Sequence, residues 1–115
     1  MRILLDECVP RRLRRELVGH DVRTVPEMGW SGKKNGELLP LITSHHFALF
    51  LTTDQNLRYQ QNLRAAGIAV PVLVAPTNRF ADLAPLMPQV RATLPTVQPG
   101  DLVEDECRRE PGEAT

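Results

Sequence analysis

Short apolar runs alternate with helix-like segments along this chain of 115 residues, and this alternation constrains the fold more than any single motif does. The apolar runs predict strands at residues 3–5, 21–25, 48–52, 68–74 and 101–104. Strands that alternate with helices favour a parallel sheet covered by helices on both faces. The length suits one domain with one core. The sequence therefore predicts an α/β fold, a three-layer α/β/α domain with a mostly parallel central sheet of four to five strands.

The segments between these strands carry signals for the start and end of helices. Helices are predicted from Pro10 to Gly19 and over residues 37–46, 57–66 and 79–94. Asn35 is a candidate N-cap for the second helix. Pro85 and Pro88 divide the last helical segment into a short turn and a second helix that begins near Pro85. Pro71 lies inside the fourth strand and favours an edge or irregular position for it.

Acidic residues follow two of the predicted strands, and ligands of such sheets bind outside the carboxyl ends of the strands. Asp6 follows the first strand and Asp54 follows the third. Asp54 would also serve as the cap of the next helix, but Asp6 lies too early to cap a helix that begins at Pro10. Two carboxylates at neighbouring strand ends repel each other, and a divalent cation such as Mg²⁺ relieves that repulsion. The sequence therefore predicts an acidic, metal-binding site built on Asp6 and Asp54.

Other polar residues are candidates for the same site. Glu37 lies in the first turn of its helix, where an acidic residue also interacts favourably with the helix dipole. Asn78 follows the fourth strand, and a turn or cap role is the alternative for it. Thr52 or Thr53 would donate a hydrogen bond to a phosphate or to a carboxylate.

The charge of the chain is zero in total but uneven along its length. Residues 101–115 hold six acidic and two basic residues, which leaves 12 basic and 8 acidic residues in residues 1–100. The basic side chains near the candidate site are Arg11, Arg12, Arg14, Arg15, Lys33 and Lys34. They would follow an RNA backbone, or else form a solvated helix face. Trp30 would stack on a base or fold back onto the core.

The cellular context follows from the cysteines and from the apolar runs. Cys8 and Cys107 fit no disulfide framework or zinc spacing, and both are predicted to be reduced thiols. No apolar run is long enough to cross a membrane, and the N-terminus has no secretory signal, so a cytoplasmic location is predicted. Residues 106–115 are too polar to pack and are predicted to be disordered, with the folded domain over residues 1–105.

Five segments of the chain resemble the PIN-like nuclease superfamily, and more closely the compact bacterial PIN-like domains of unknown function. The segments are ILLDECVPRRL, GHDVRTVPEMGWSG, NGELL, FLTTDQNLRYQQNL and VLVAPTNRFADL. The resemblance covers about residues 2–104 and implies RNA cleavage that depends on Mg²⁺ or Mn²⁺. It also implies candidate partners, because VapC-type toxins of this superfamily pair with antitoxins and PIN domains commonly form homodimers.

The resemblance assigns roles to particular residues. The catalytic positions are Asp6, Glu37, Asp54 and Asn78, of which Asp6, Asp54 and Glu37 would hold the metal. Glu37 would also help to orient the attacking water, and Asn78 would complete the shell. The expected RNA-binding residues are Arg11, Arg12, Arg15, Lys33, Lys34 and Thr53. The chain departs from the family at Asn35, where related domains often carry Asp, and its fourth position is Asn78 rather than Asp.

Two other functions remain open from the sequence. A catalytically silent PIN-like module would keep the fold and bind RNA or a protein, and Asn35 and Asn78 favour it. A phosphoacceptor receiver domain would also place acids such as Asp6, Glu7 and Asp54 after the first and third strands. Receivers need a lysine after the fifth strand, whereas the lysines of this chain are Lys33 and Lys34.

Overall fold

The computed structural model describes residues 1–55 and 63–106 of the chain. The strands are β1 (Arg2–Leu5), β2 (Asp21–Thr24), β3 (Leu49–Leu51), β4 (Val70–Val74) and β5 (Leu102–Glu106). The α-helices are α1 (Asn35–Ser44), α2 (Leu63–Ala66), α3 (Phe80–Leu83) and α4 (Met87–Thr93). Two 3-10 helices lie at Arg11–Glu16 and Ala84–Leu86. This order of elements confirms the α/β class.

All strand pairs in the described part of the chain are parallel. One sheet has three strands in the order β2-β1-β3, and the other pairs β4 with β5. Isolated bridges between Leu49 and Ala69 and between Thr52 and Val72 join β3 to β4. The strands therefore divide into sheets of three and two, and the expected single sheet of four to five strands is not confirmed.

Pro71 explains why the ladder between β3 and β4 is broken. The N–H of Ala69 donates to the carbonyl of Ala48 at 3.0 Å, and the N–H of Leu73 donates to the carbonyl of Thr52 at 2.8 Å. Residue 71 lies between these two donors and faces the same strand, but proline has no N–H to donate. The expectation of an irregular position for Pro71 is thus confirmed, whereas the edge position is not, because β4 lies between β3 and β5.

Alternate residues of the strands pack into two separate apolar clusters, as the pleat of a strand requires. Ile3 and Leu5 join the 3-10 helix and α4 in one cluster, and Leu4 joins α1 and α2 in the other. Leu49, Phe50 and Leu51 of β3 are all fully buried, which confirms the prediction of a strand covered on both faces.

The first predicted helix is a 3-10 helix and spans only Arg11–Glu16. Its bonds run from the N–H of Leu13 to the carbonyl of Pro10 and from the N–H of Leu17 to the carbonyl of Arg14. Four arginines in six residues repel one another, and the first turn holds neither an acidic residue nor a side-chain cap that would favour an α-helix. Leu13 and Leu17 nevertheless share the buried face that their spacing predicts.

The other helices and the last strand differ from the prediction mainly at their ends. The helix α1 begins at Asn35, so that Lys34 and not Asn35 takes the cap position. Of the helix predicted over residues 57–66, residues 57–62 lie outside the described part, and Gly67 follows its end with a φ of 71°. Strand β5 continues to Glu106, one residue beyond the expected end of the domain. Cys107 and the rest of the predicted tail lie outside the described residues.

The helices of the described part of the chain are short. The longest, α1, has 10 residues, and none is long and apolar enough to cross a lipid bilayer.

Candidate functional site

The carboxyl ends of β1 and β3 are adjacent, and one buried threonine connects their acidic residues. The hydroxyl of Thr52 donates to Oδ2 of Asp6 at 2.6 Å and accepts the backbone N–H of Asp54 at 3.0 Å. Thr52 is fully buried and Asp6 is only 9% exposed. The second carboxylate oxygen of Asp6 accepts the backbone N–H of Glu7 at 2.8 Å. The structure therefore brings Asp6 and Asp54 to the same sheet edge and holds the Asp6 side chain in one orientation.

A pocket of about 420 Å³ opens above this pair, and we call it the acidic pocket. Its lining residues are Asp6, Glu7, Cys8, Lys33, Lys34, Leu38, Thr53 and Asp54. The two lysines come from the loop between β2 and α1, residues 25–34, which we call the β2–α1 loop. Carboxylates and ammonium groups thus border one cavity, an arrangement that suits a ligand carrying both a cation and phosphate groups.

Thr53 and Cys8 contact each other at the side of the acidic pocket. The hydroxyl of Thr53 lies 3.0 Å from Sγ of Cys8, to which it donates. Cys8 is a free cysteine, as predicted. Burial is the main cause that raises the pKa of the Cys8 thiol, and the charge of Asp6 acts in the same direction against the hydrogen bond from Thr53. The thiol therefore stays protonated at neutral pH.

Glu37 does not line the acidic pocket, although it was predicted to be the third carboxylate. Its Oε1 accepts the backbone N–H of Lys34 at 3.2 Å, which satisfies a free donor at the start of α1. The alternative that the sequence left open was a favourable interaction with the helix dipole, and the structure places this carboxylate on the backbone at that end of α1. A role for Glu37 in binding metal stays a prediction.

Asn78 lies in the exposed loop after β4 and is also not among the residues that line the acidic pocket. Its neighbours form a local turn, in which the hydroxyl of Thr77 donates to Asp82 and accepts the N–H of Arg79 at 3.1 Å. Of the four predicted catalytic positions, Asp6 and Asp54 line the acidic pocket, and Glu37 and Asn78 are not among its lining residues.

A second groove, of about 570 Å³, lies beside the acidic pocket, and we call it the basic groove. It is lined by Glu7, Val9, Pro10, Arg11, Arg12, Arg14, Arg15, Thr24, Pro26 and Glu27. Arg11, Arg12 and Arg15 are exposed, and the Arg12 guanidinium lies 4.4 Å from the centre of the Phe80 ring. Glu7 borders both cavities, so the predicted arginines adjoin the site of Asp6 and Asp54.

Arg14 differs from the other arginines of the basic groove because its guanidinium pairs with Glu27. Glu27 also accepts the backbone N–H of Thr24 at 3.0 Å. Burial alone would raise the pKa of Glu27, but the hydrogen bonds from Arg14 and Thr24 outweigh it and hold the pKa below its usual value. Arg14 is therefore neutralised by a carboxylate, which leaves Arg11, Arg12 and Arg15 as the exposed cations of the groove.

Trp30, in the β2–α1 loop, packs on the core and does not stack outward. It is 6% exposed, and its ring meets those of His45 and Phe47 edge to face at centroid distances of 4.9 and 6.2 Å. The loop that carries Lys33 and Lys34 is therefore anchored by an aromatic contact.

The donor set of the acidic pocket fits a Mg²⁺ or Mn²⁺ ion that keeps several of its waters. Such ions need only one or two carboxylates from a protein, and Asp6 and Asp54 supply two. No group of three or more His, Cys, Asp or Glu side chains that could hold an ion occurs in residues 1–55 and 63–106. A complete cage of protein ligands is therefore absent from the described residues, and water or substrate oxygens would provide the other ligands.

The sequence predicts only a general role for Thr52, as a donor to phosphate or carboxylate. The structure shows that the acceptor is the carboxylate of Asp6. The pair Thr52-Thr53 directly after an apolar strand is a sequence signal for this contact. Successive side chains of a strand point to opposite faces, so one hydroxyl is buried and the next faces the pocket. The contact between Cys8 and Thr53 had no such signal.

These features define a class of protein, an α/β domain with parallel strands and an acidic pocket at the carboxyl ends of β1 and β3. Comparison with known families makes the assignment more specific. The chain matches the family described as PIN like domain over residues 1–74, more than half of its length, and it belongs to this PIN-like family. No curated protein and no solved structure matches the chain. The match favours the PIN-like prediction over the receiver alternative.

Proposed function

We propose that this PIN-like domain is a ribonuclease that depends on Mg²⁺ or Mn²⁺ and hydrolyses phosphodiester bonds of RNA. The observation that carries the proposal is the bond from the buried Thr52 hydroxyl to Asp6, at a pocket that Asp54 also lines. Membership of the PIN-like family supports it, because that family belongs to a nuclease-like superfamily.

The metal, when bound between Asp6 and Asp54, would activate water and neutralise charge on the phosphate. The chain's own residues have separate tasks. Thr52 fixes the orientation of the Asp6 carboxylate, and Lys33 and Lys34 attract the phosphate groups to the pocket mouth. Arg11 and Arg15 bind the adjoining backbone in the basic groove. Glu37 and Asn78, which are not among the residues that line the acidic pocket, have no part in the proposal.

The test is cleavage of a fluorescent mixed-sequence RNA pool by the purified chain in Mg²⁺, in Mn²⁺ and in EDTA. We expect cleavage only with a metal, and a cleavage rate at least about 100-fold lower in the Asp6→Asn variant. Loss of a metal ligand should lower the rate at least as much as loss of a residue that hydrogen-bonds to such a ligand. Asp21→Asn is the matched control, since it removes one carboxylate from the exposed start of β2. Equal rates in the parent and in Asp6→Asn would contradict the proposal.

A second candidate function has an observation in its favour. The carboxylate of Glu37 is engaged at the start of α1 and Asn78 lies in an exposed loop, so neither of these family positions is among the residues that line the acidic pocket. A silent PIN-like module that binds RNA or a protein partner would tolerate this. RNA binding in EDTA without cleavage in either metal would favour it.

The proposal also includes two partners. The chain would act as a toxin that pairs with an antitoxin, and it would form a homodimer. They rest on the resemblance to VapC-type toxins. Co-expression of the chain with the product of a neighbouring small reading frame, followed by size-exclusion chromatography, tests both.

A further inference from the structure

Glu7 follows Asp6 directly, but its carboxylate is directed to the β2–α1 loop. Its Oε2 accepts the backbone N–H of Gly32 at 3.1 Å, and the side chain is exposed. Glu7 also lines both the acidic pocket and the basic groove. It therefore lies between the two cavities that the proposed function assigns to RNA.

The bond to Gly32 adds a side-chain contact to a part of the loop that a backbone turn also holds. The N–H of Lys33 closes a turn onto the carbonyl of Trp30 at 3.2 Å, and Gly32 within it has a φ of 82°, a conformation that suits glycine. Trp30 anchors the turn on the core side. On the side of the acidic pocket, the carboxylate of Glu7 accepts the backbone N–H of Gly32 in this turn. Lys33 and Lys34 follow Gly32 directly in the sequence.

We propose that Glu7 is a positioning residue, which holds the Gly32 turn so that Lys33 and Lys34 stay at the mouth of the acidic pocket. This inference rests on the proposed function, because it assigns the lysines to RNA. It makes Glu7 neither a metal ligand nor a group that touches the reacting phosphate.

The two roles of a carboxylate can be separated at this position. A tether needs only an oxygen that accepts the N–H of Gly32, which glutamine keeps and alanine lacks. A metal ligand of this kind needs the negative charge, which both variants lack. Glu7→Gln and Glu7→Ala have the same charge, so their comparison also removes the general effect of a lost negative charge on RNA affinity.

The experiment compares Glu7→Gln and Glu7→Ala in two measurements that need no cleavage. The first is hydrogen exchange of the backbone of residues 30–34, where we expect faster exchange in Glu7→Ala than in Glu7→Gln. The second is fluorescence anisotropy of single-stranded RNA in EDTA, where we expect several-fold weaker binding by Glu7→Ala than by Glu7→Gln. This difference should disappear when Lys33→Ala and Lys34→Ala are also present, because Glu7 acts through these lysines.

Each unfavourable result has a separate meaning. Equal hydrogen exchange in the two variants would overturn the tether, whatever the RNA results are. Equal RNA affinity of the two variants, or a difference in affinity that persists when both lysines are replaced, would overturn the claim that Glu7 acts on RNA binding through Lys33 and Lys34. Cleavage lost in Glu7→Gln as fully as in Asp6→Asn, with RNA binding intact, would make Glu7 a metal ligand and overturn the proposal. A parent chain that binds RNA but does not cleave it would contradict the proposed function and leave the comparison of Glu7 variants valid.

Discussion

Thr52 shows how much of the candidate site depends on one uncharged side chain. It is fully buried between two acidic residues, and its hydroxyl serves Asp6 as donor and the backbone of Asp54 as acceptor. A carboxylate with a fixed orientation is preorganised for a cation, whereas a free one must be ordered when the cation binds.

We therefore expect Thr52→Val to lower metal affinity and any cleavage rate about 10- to 100-fold, as is usual when a group behind a ligand is removed. Valine has nearly the same shape, so the loss would reflect the hydroxyl. The variant should also lose about 1–3 kcal/mol of stability, because Oδ2 of Asp6 and the backbone N–H of Asp54 each lose the hydroxyl as a hydrogen-bond partner. Isothermal titration with Mn²⁺ and thermal unfolding measure the two effects.

Thr52→Ser is the control for this prediction, because serine retains the hydroxyl and loses only a methyl group. It should keep most of the metal affinity. If Thr52→Val bound Mn²⁺ as tightly as the parent, the positioning role of Thr52 would be wrong.

At the residue scale, the sequence was most informative where a simple rule excluded an alternative. Asp6 lies too early to cap a helix after Pro10, and its burial beside β3 agrees with a role at the sheet edge. Glu37 satisfied two rules at once, an acid near the strand ends and an acid in the first turn of a helix. Nothing in the sequence decided between them, and the structure shows the capping contact.

At the scale of elements, the 3-10 helix Arg11–Glu16 has the clearest functional consequence. Leu13 is buried while Arg11, Arg12 and Arg15 are exposed, so the short element presents a cationic surface on an apolar anchor. Its side chains border the basic groove along one wall. The charge pattern was visible in the sequence, but the type of helix was not, because it depends on the balance between repulsion among arginines and the packing of two leucines.

This surface gives a prediction on salt dependence. The double variant Arg11→Ala and Arg15→Ala should bind single-stranded RNA more weakly, and the slope of log affinity against log salt should become shallower by about 0.7 for each RNA phosphate that an arginine no longer neutralises. Anisotropy titrations in EDTA over a range of KCl concentrations measure the slope.

Arg23→Ala is the control for the salt slope, since Arg23 lies on β2 outside the basic groove and pairs with Asp21. It should leave the slope nearly unchanged. A slope that is the same in the double variant and in the parent would show that these arginines form a solvated face.

At the scale of the whole molecule, Asp105 links pH to stability. It lies in β5 with 4% exposure, and its Oδ2 has no hydrogen-bond partner among the described residues. Burial raises the pKa of Asp105 in the folded chain above its value in the unfolded chain. The folded state therefore binds this proton more tightly, and the stabilisation is complete below the unfolded pKa and is lost as pH rises through the folded pKa.

We expect Asp105→Asn to stabilise the chain at pH 7, because it removes the cost of a buried charge. A gain of about 1 kcal/mol would raise Tm by about 4–8 °C in a domain of this size. The gain should shrink as the pH falls toward 4, where the parent carries the proton itself. Thermal unfolding of both chains from pH 4 to pH 8 measures this, and a gain independent of pH would contradict it.

The folded part of the chain extends beyond the residues that match the family. The match ends at residue 74, the end of β4, but β5 pairs with β4 along its whole length and α4 contributes to the core. The alternating pattern of the sequence predicted these later elements without reference to a family. It did not predict the division of the strands into two sheets, because the effect of Pro71 depends on which neighbour its missing N–H would face.

The missing N–H of Pro71 lies between the strands that carry the predicted catalytic positions. Asp6 and Asp54 follow strands of the three-stranded sheet, whereas Asn78 follows β4, which joins β3 through isolated bridges. The backbone connection between Asp6 and Asp54 is direct, because the N–H of Asp6 donates to the carbonyl of Leu51 at 2.9 Å. A substitution at residue 71 that restored the N–H would therefore add a donor between β3 and β4 and leave the connection between Asp6 and Asp54 as it is.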